Sequence, residues 1–343
     1  MKKIKNKITI NDVAKKACVS KATVSRYLNG KYDMLSDITV EKVKIAVEEL
    51  GFRPNKLAQS LKSNTSGTIG CIVSNIGSPF SSILVKGINH KCLEEGYQLI
   101  LTDSEDNANI EKKAIENLLE RSVDGLIINS TGENDEYFLK LAHNNFPIVL
   151  ADRPLSIDGS IDTVITDNEN SLKQCMQYLH NIGYTKVALF SSSMKKNEVR
   201  RLRYYAFCKY DKEIFKNPDF PSVYFYNDLE DCRYKIRHFI GNFTNDRLAI
   251  IAINGVSLLD VLNIIIKDTG IKIGRELGIC GFDNWGWADL IGPGITTITQ
   301  NTWDVGYESA KLLFDRINNK YSEDARTVII KNILETRGST VLV

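Results

Sequence analysis

The sequence has few of the features that mark catalysis, export or metal binding. Its 343 residues include four histidines and seven cysteines, and no two cysteines form a C-x-x-C pair. An odd, scattered set of thiols reads as reduced and mostly buried rather than as a disulfide or zinc framework. No run of about 18 uncharged apolar residues is present, so no membrane span is expected. The N-terminal "MKKIKNKITIND" is basic, but no apolar stretch of signal-peptide length follows it, which points to a cytoplasmic protein. No G-x-G-x-x-G follows a strand and no Walker A sequence occurs, which argues against nucleotide chemistry. His90, His143, His180 and His238 fall in helical segments without metal spacing, and "SPFSS" lacks the G-x-S-x-G of a nucleophile elbow. No catalytic residue, metal ligand or cofactor is expected, and the chain does not read as an enzyme.

Charge, in contrast, is unevenly spread. Residues 1–62 hold fourteen basic against six acidic residues, a net of +8, while the rest holds thirty basic against thirty-six acidic. A basic head on an acidic body suggests a polyanion-binding module joined to a domain of another kind.

Within the head, Ile10, Val13, Ala14 and Ala17 lie at helical spacing. "VSKATVSRYL" then restarts a helix, with Ser20 as N-cap and Val24, Tyr27 and Leu28 on one face. The break around Cys18 is three or four residues long, which is helix-turn-helix spacing. A third helix begins after Ser36, carries Val40, Val43, Val47 and Leu50 inward, and stops at Gly51.

"ITINDVAKKACVSKATVSRYLNG" followed by "GFRPN" resembles the head of the lactose/galactose-repressor family of bacterial transcription regulators. Cys18 stands where that family usually has glycine, so a left-handed backbone there would cost about 1 kcal/mol. The resemblance implies a recognition helix in the major groove, with Lys21, Ala22 and Arg26 at its base-reading positions. The guanidinium fork of Arg26 suits a guanine. Ser20, Thr23, Ser25 and Asn29 are short hydrogen-bonders suited to phosphates. Pro54 fits the first position of a helix over Asn55 to Lys62, too short to be stable alone. In the family that segment folds when two subunits pair over the minor groove. The resemblance thus brings Asn55, Leu61 and Lys62 to DNA, with Leu61 wedged between base pairs and Leu57 and Ala58 toward the partner helix.

From Gly67 onward strands and helices alternate. "GTIGCIVSN", "YQLILTD", "VDGLIINS" and "FPIVLAD" form one series, and "TVITDN", "KVALFSSS", "AIIAIN" and "LGICGFD" a second. Two such series predict two parallel-sheet subdomains with a ligand cleft near the strand C-termini. The expected fold class is therefore a small all-α helix-turn-helix head plus an α/β body. The order of motifs again resembles the repressor family, whose body is periplasmic-binding-protein-like. The expected limits are 1–52 for the head, 53–66 for a hinge helix and linker, and 67–343 for the body. Residues 67–165 with 300–322 are expected in one subdomain, and 166–299 with 323–343 in the other.

By the same resemblance, Phe80 and Ser81 contact the effector from one wall of the cleft, with Asp152 at the hinge side, and Arg203, Asn254 and Asp283 line the other wall. These types suit a hydroxylated ligand: carboxylates accept hydroxyls, a guanidinium grips oxygens, and a ring packs on a sugar face. Asn254-Gly255 replaces the family's usual Asn-Asp, which removes a carboxylate. Trp285 and Trp287 can form a lip of the cleft or pack in a core or a dimer interface. "YLNGKYDMLSD" and "WGWADLIGPGITTITQ" are similar to regulators of sugar-acid catabolism such as ketodeoxygluconate-operon repressors. With Arg200 and Arg201 beside Arg203, and Lys195 and Lys196 just before, this suggests a sugar-acid effector whose carboxylate meets Arg203. The expected protein is a homodimeric regulator, in all likeness to the family a repressor, with double-stranded operator DNA and a sugar or sugar-acid effector as partners. "TRGSTVLV" follows the last strand directly, where some relatives carry a tetramerising helix, so dimers are expected. The alternative is control by a phosphocarrier protein, as in some family members.

Overall fold

The structure, a computed structural model, describes residues 8–52, 65–156, 160–192, 194, 197–216, 222–318 and 324–341. The chain divides into two compact units, Met1–Ser66 and Gly67–Val343.

In the first unit, α1 (Ile10–Lys16), α2 (Lys21–Leu28) and α3 (Asp37–Leu50) enclose a small core of Val13, Ala14, Ala17, Val24, Val43 and Ala46. Local chemistry sets each helix boundary. Ser20 Oγ accepts the Thr23 N–H at 3.1 Å, and Ser36 Oγ accepts the Thr39 N–H at 3.4 Å. Gly51 closes α3 in the left-handed region at φ 57°. Cys18 makes the turn between α1 and α2 at φ 53°, the strained conformation that its replacement of glycine raised as a question.

Among the described residues, the second unit contains two six-stranded sheets of matching order. The first is built from β1 (Thr68–Val73), β2 (Gln98–Asp103), β3 (Gly125–Ile128), β4 (Ile148–Ala151), β5 (Asp162–Thr166) and, late in the chain, β11 (Thr327–Ile330). Its order is β2-β1-β3-β4-β5-β11. The second holds β6 (Lys186–Ser192), β7 (Val223–Tyr226), β8 (Leu248–Ala252), β9 (Gly278–Phe282), β10 (Thr296–Thr299) and β12 (Ile333–Glu335), in the order β7-β6-β8-β9-β10-β12. All neighbours are parallel except β12, which runs antiparallel to β10. Helices α4 (Pro79–Glu94), α5 (Ala108–Glu120) and α6 (Asp135–His143) connect strands of the first sheet; α7 (Asn168–Asn181), α8 (Glu198–Ile214), α9 (Leu229–Asn242) and α10 (Gly255–Ile264) serve the second. The last helix, α11 (Thr302–Ile317), returns to the first subdomain and packs on α4.

Both faces of each sheet are covered, which explains the near-continuous apolar strands. In β1, Ile69, Cys71 and Val73 join one core while Ile72 joins the core on the opposite face. Helices α4 and α11 approach backbone to backbone. A Cβ on Gly87 would stand 2.1 Å from the Trp303 carbonyl oxygen, and one on Gly306 2.1 Å from that of Leu84.

One expected boundary moves. Residues 323–343 were expected wholly in the second subdomain, yet β11 pairs with β5, from Thr327–Thr163 to Ile330–Thr166. The cause is buried Asp162. It accepts the Arg326 backbone N–H at 2.8 Å, the Arg326 guanidinium at 2.7 Å and the Arg316 guanidinium at 2.7 Å. Those donors hold its carboxyl below the usual range against the effect of burial. The last crossing between subdomains therefore falls at residues 331–332, after β11.

Candidate functional sites

On the head, α2 presents an exposed arc. Counted at about 100° per residue, Lys21, Ser25, Asn29, Ala22 and Arg26 fall within about 140° of arc on α2. Lys21, Ala22, Arg26 and Asn29 are exposed and Ser25 half-buried, while Val24 turns into the core. Thr23 lies off this arc, half-buried, with its hydroxyl 2.9 Å from that of the capping Ser20. Asn29 Nδ2 donates to Ser25 Oγ at 3.4 Å. Asn55, Leu61 and Lys62, with Pro54, Leu57 and Ala58, lie outside the described residues.

In the body, the strand C-termini of both subdomains face a common cavity of about 120 Å³. Phe80, Ser81, Asp152, Arg203, Asn254 and Asp283 all line it. Phe80 and Ser81 open α4, behind Pro79 at its first position. Asp152 follows β4 directly, and Asp283 follows β9. Asn254 caps α10 by accepting the Ser257 N–H at 2.9 Å. Arg203 rises from α8 and is almost wholly buried. Its Nε donates to Asn168 Oδ1 at 2.7 Å, Nη1 to the Ile253 carbonyl at 2.8 Å and Nη2 to Gln300 Oε1 at 2.7 Å, while its guanidinium carbon lies 3.5 Å from the Phe282 ring centre. Asn168 and Gln300 sit on the two crossings after β5 and β10. Arg203 is thus the tie between the second subdomain and the segments that join it to the first.

These observations coincide with what known proteins show. Residues 9–55 match the model described as bacterial regulatory proteins, lacI family, and residues 66–337 match periplasmic binding proteins and sugar binding domain of LacI family. The chain belongs to the LacI family. It is a DNA-binding transcriptional regulator and not an enzyme. Among its LacI-family relatives, the HTH-type transcriptional regulator KdgR of Bacillus subtilis is 36% identical over 92% of this chain and 93% of the relative. The regulator PtxS of Pseudomonas aeruginosa is 30% identical over 98% and 96%. In fold, the Lac repressor dimer bound to operator and the anti-inducer ONPF matches with a TM-score of 0.83 at 24% identity, over 98% of this chain and 100% of that one. No helix among the described residues is long and apolar enough to cross a membrane.

The electrostatics of this LacI-family cleft differ between its walls. Asp283 is satisfied: Oδ2 accepts the Gly255 N–H at 3.1 Å and Oδ1 accepts the Gln300 amide. Its carboxyl is still raised by burial, opposed by Arg203 and these donors. Asp152 is also buried, and its Oδ1 has no hydrogen-bond partner among the described residues. Burial pushes its carboxyl up to about 6, against the pull of Arg203 and Arg153. Arg203 is drawn down to about 10 by burial, opposed by Asp283 and Asp152.

The two tryptophans have different places. Trp285 lines the cavity, and its ring occupies the space a side chain on Gly255 would need, 2.4 Å from an ideal Cβ. The missing carboxylate at Gly255 is therefore replaced by an aromatic surface. Trp287 packs against the second subdomain's core. Residues that sequence reasoning passed over include Asn129, Arg153 and Gln300. Each is a polar residue at or just beyond a strand C-terminus, the signal by which it was findable. Lys195 and Lys196 lie outside the described residues.

Proposed function

We propose that this regulator is a homodimeric repressor controlled by a small sugar or sugar acid held between the two body subdomains. The observation that carries the effector class is the Oδ1 of buried Asp152, without a hydrogen-bond partner among the described residues, at a cavity that Phe80 and Trp285 also line. A buried acceptor left unmatched costs about 1–3 kcal/mol, and a ligand hydroxyl is the neutral donor that removes the cost. Rings suit the apolar face of a sugar. A built polar cavity favours a small molecule over a phosphocarrier protein, whose action needs no such cavity. The dimer is supported by an exposed apolar stripe of Val256, Leu259 and Ile266 on and just beyond α10.

On DNA, Lys21, Ala22 and Arg26 read bases, Ser20, Thr23, Ser25 and Asn29 position the head, and Asn55, Leu61 and Lys62 act at the operator centre. The test begins with operator duplexes selected from a random pool by the full-length protein. Calorimetry against neutral sugars and their acids then identifies ligands, and each ligand's effect on operator affinity is measured. Saturable binding that Asp152→Ala removes, together with a changed operator affinity, is the expected result. Intact operator binding with no heat from any polyhydroxy compound rejects the effector class and leaves DNA binding standing. Arg26→Ala should weaken the selected site by about 1–3 kcal/mol and relax one base pair; equal loss on random duplexes would place Arg26 on phosphate instead.

A further inference from the structure

We propose that Glu335, on β12, is a positioning residue for the cleft: through Asn284 it fixes where the Trp285 ring stands, an inference that rests on the sugar-type reading above for what that ring meets. Trp285 lines the cavity, and its ring fills the space beside Gly255. It stands on the loop that joins Phe282, at the end of β9, to Thr296, at the start of β10. Trp287, Ala288 and Ile295 hold the far half of that loop against the second subdomain's core. The half that carries Trp285 depends on polar ties.

Asn284 supplies the decisive tie. Its Nδ2 donates to Glu335 Oε2 at 3.0 Å, and its Oδ1 accepts the Gly286 N–H at 3.0 Å. The two ends of one amide thus bracket Trp285. Gly286 turns the backbone there at φ 84°, a conformation that side chains resist. Glu335 Oε2 also accepts Thr297 Oγ1 at 3.3 Å, Arg337 Nη2 at 3.0 Å and the Thr299 hydroxyl. Against the effect of burial, Thr299, Asn284 and Arg337 hold its carboxyl at about 2. Near neutral pH it is therefore an ionised acceptor, which binds an amide donor more strongly than a neutral oxygen does.

The chain beyond Glu335 continues along the same loop. Arg337 Nη1 donates to the Ile295 carbonyl at 2.9 Å and its Nε to Asp289. The Gly338 N–H donates to the Pro293 carbonyl at 3.1 Å, and that of Ser339 to the Gly294 carbonyl at 2.8 Å. These ties serve the far half of the loop. Asp289 is also 67% exposed at its side chain, so its pair with Arg337 is worth little in water. Only the bond from Asn284 to Glu335 falls next to Trp285. It also stands close to the crossings: Asn332, three residues before Glu335, donates to Ser171 Oγ at 3.0 Å in the first turn of α7. The segment that makes the last crossing is thus the one that holds the aromatic surface.

The experiment is acrylamide quenching of tryptophan emission in the full-length protein with no effector added. The share of Trp285 is obtained by subtracting the same protein carrying Trp285→Phe. Glu335→Ala is expected to raise the quenching of Trp285 by about twofold and to move its emission to the red. Asn284→Ala removes the other end of the same bond and should match it, and the double variant should add little more. Glu335→Gln keeps an oxygen for the Asn284 amide and should recover about half of the change or more. Asp289→Ala should change the quenching by less than about a fifth. Melting temperature and operator binding check that each variant has folded, and Asn284→Ala decides the matter where Glu335→Ala has not. Trp285 quenching unchanged in folded Asn284→Ala, or equal effects of Glu335→Ala and Glu335→Gln, overturns the positioning role. Because no ligand enters the measurement, its failure is distinct from failure of the sugar-type reading, which the titrations above decide.

Discussion

The two subdomains repeat one plan and finish it differently. Asp152 follows the fourth strand of the first series, and Asp283 the corresponding strand of the second. Both adopt the left-handed region, at φ 69° and 76°. Both donate their backbone N–H to the next strand, Asp152 to Val164 at 2.7 Å and Asp283 to Ile298 at 3.0 Å. Yet Asp283 has both oxygens occupied, whereas among the described residues Asp152 keeps one buried and unmatched. The repeat decides where a carboxylate stands, and the loops around it decide whether it is complete without a ligand. Of the two carboxylates, that of Asp283 alone has both oxygens occupied among the described residues.

That contrast makes the largest prediction one of stability. Arg203→Ala should lower the unfolding free energy by about 3–5 kcal/mol with no effector present, because it strips a buried cation from Asp283, Asn168 and Gln300. Urea unfolding measures this, and a loss below about 1 kcal/mol would mean that the second wall is not self-supporting.

On the first wall the sign reverses. Asp152 is raised from an ordinary value near 3.8 to about 6, so the folded protein holds that proton more tightly than the unfolded chain. Its stabilising contribution is complete below about pH 3.8 and is lost as pH rises through about 6. The groups acting on it are Arg203, Arg153, Asp283 and Asn129. Asp283 is raised too and slopes the same way, while Glu335, lowered to about 2, loses its contribution as pH falls from about 4.5 toward 2. The informative quantity is therefore the difference between wild type and Asp152→Asn. Without effector the variant should gain roughly 2–3 kcal/mol relative to wild type between about pH 4 and 7. A difference that does not vary with pH would show that the open carboxylate carries no strain.

A smaller effect is expected at the aromatic surface. Gly255→Ala places a methyl group where the Trp285 ring lies, and overpacking of this kind costs about 1–3 kcal/mol. We expect weaker effector binding by calorimetry and a shifted tryptophan emission; unchanged values for both would remove Trp285 from the site. The smallest effect is a control. Cys18 is another left-handed residue that is not glycine, at φ 53°, but it lies in the head. Cys18→Gly should stabilise the head by about 1 kcal/mol, seen as slower amide exchange in α1 and α2, and leave effector affinity unchanged. A change in effector affinity would show that left-handed strain alone does not separate the cleft from the rest.

The site was largely legible as a set of positions. All six expected effector residues line one cavity, since each lies at a strand C-terminus or a helix start that alternation and capping signals reveal. Roles were harder to read than positions. Arg203 stands among arginines on a helix facing the cleft, which suggests an acid's partner; that it also holds acceptors 35, 50 and 97 residues away in the chain could not be read from that position. Gly255 marks a lost carboxylate in the sequence, and only the structure shows the Trp285 ring filling the space there.

By itself the sequence determined the local elements of this protein. Ser20, Ser36 and Gly51 bound their helices through hydrogen bonds spanning a few residues, and apolar strands between amphipathic helices specify parallel sheets covered on both faces. Tertiary structure alone decided the return of Thr327–Ile330 to the first sheet, the tie of Arg203 to both crossings, and the open oxygen on Asp152. Each depends on partners brought together across tens to more than a hundred residues, as when Arg326 reaches Asp162 over 164. Helical and strand periodicity report which face of an element is buried, but they carry no information about which distant polar group it will meet there.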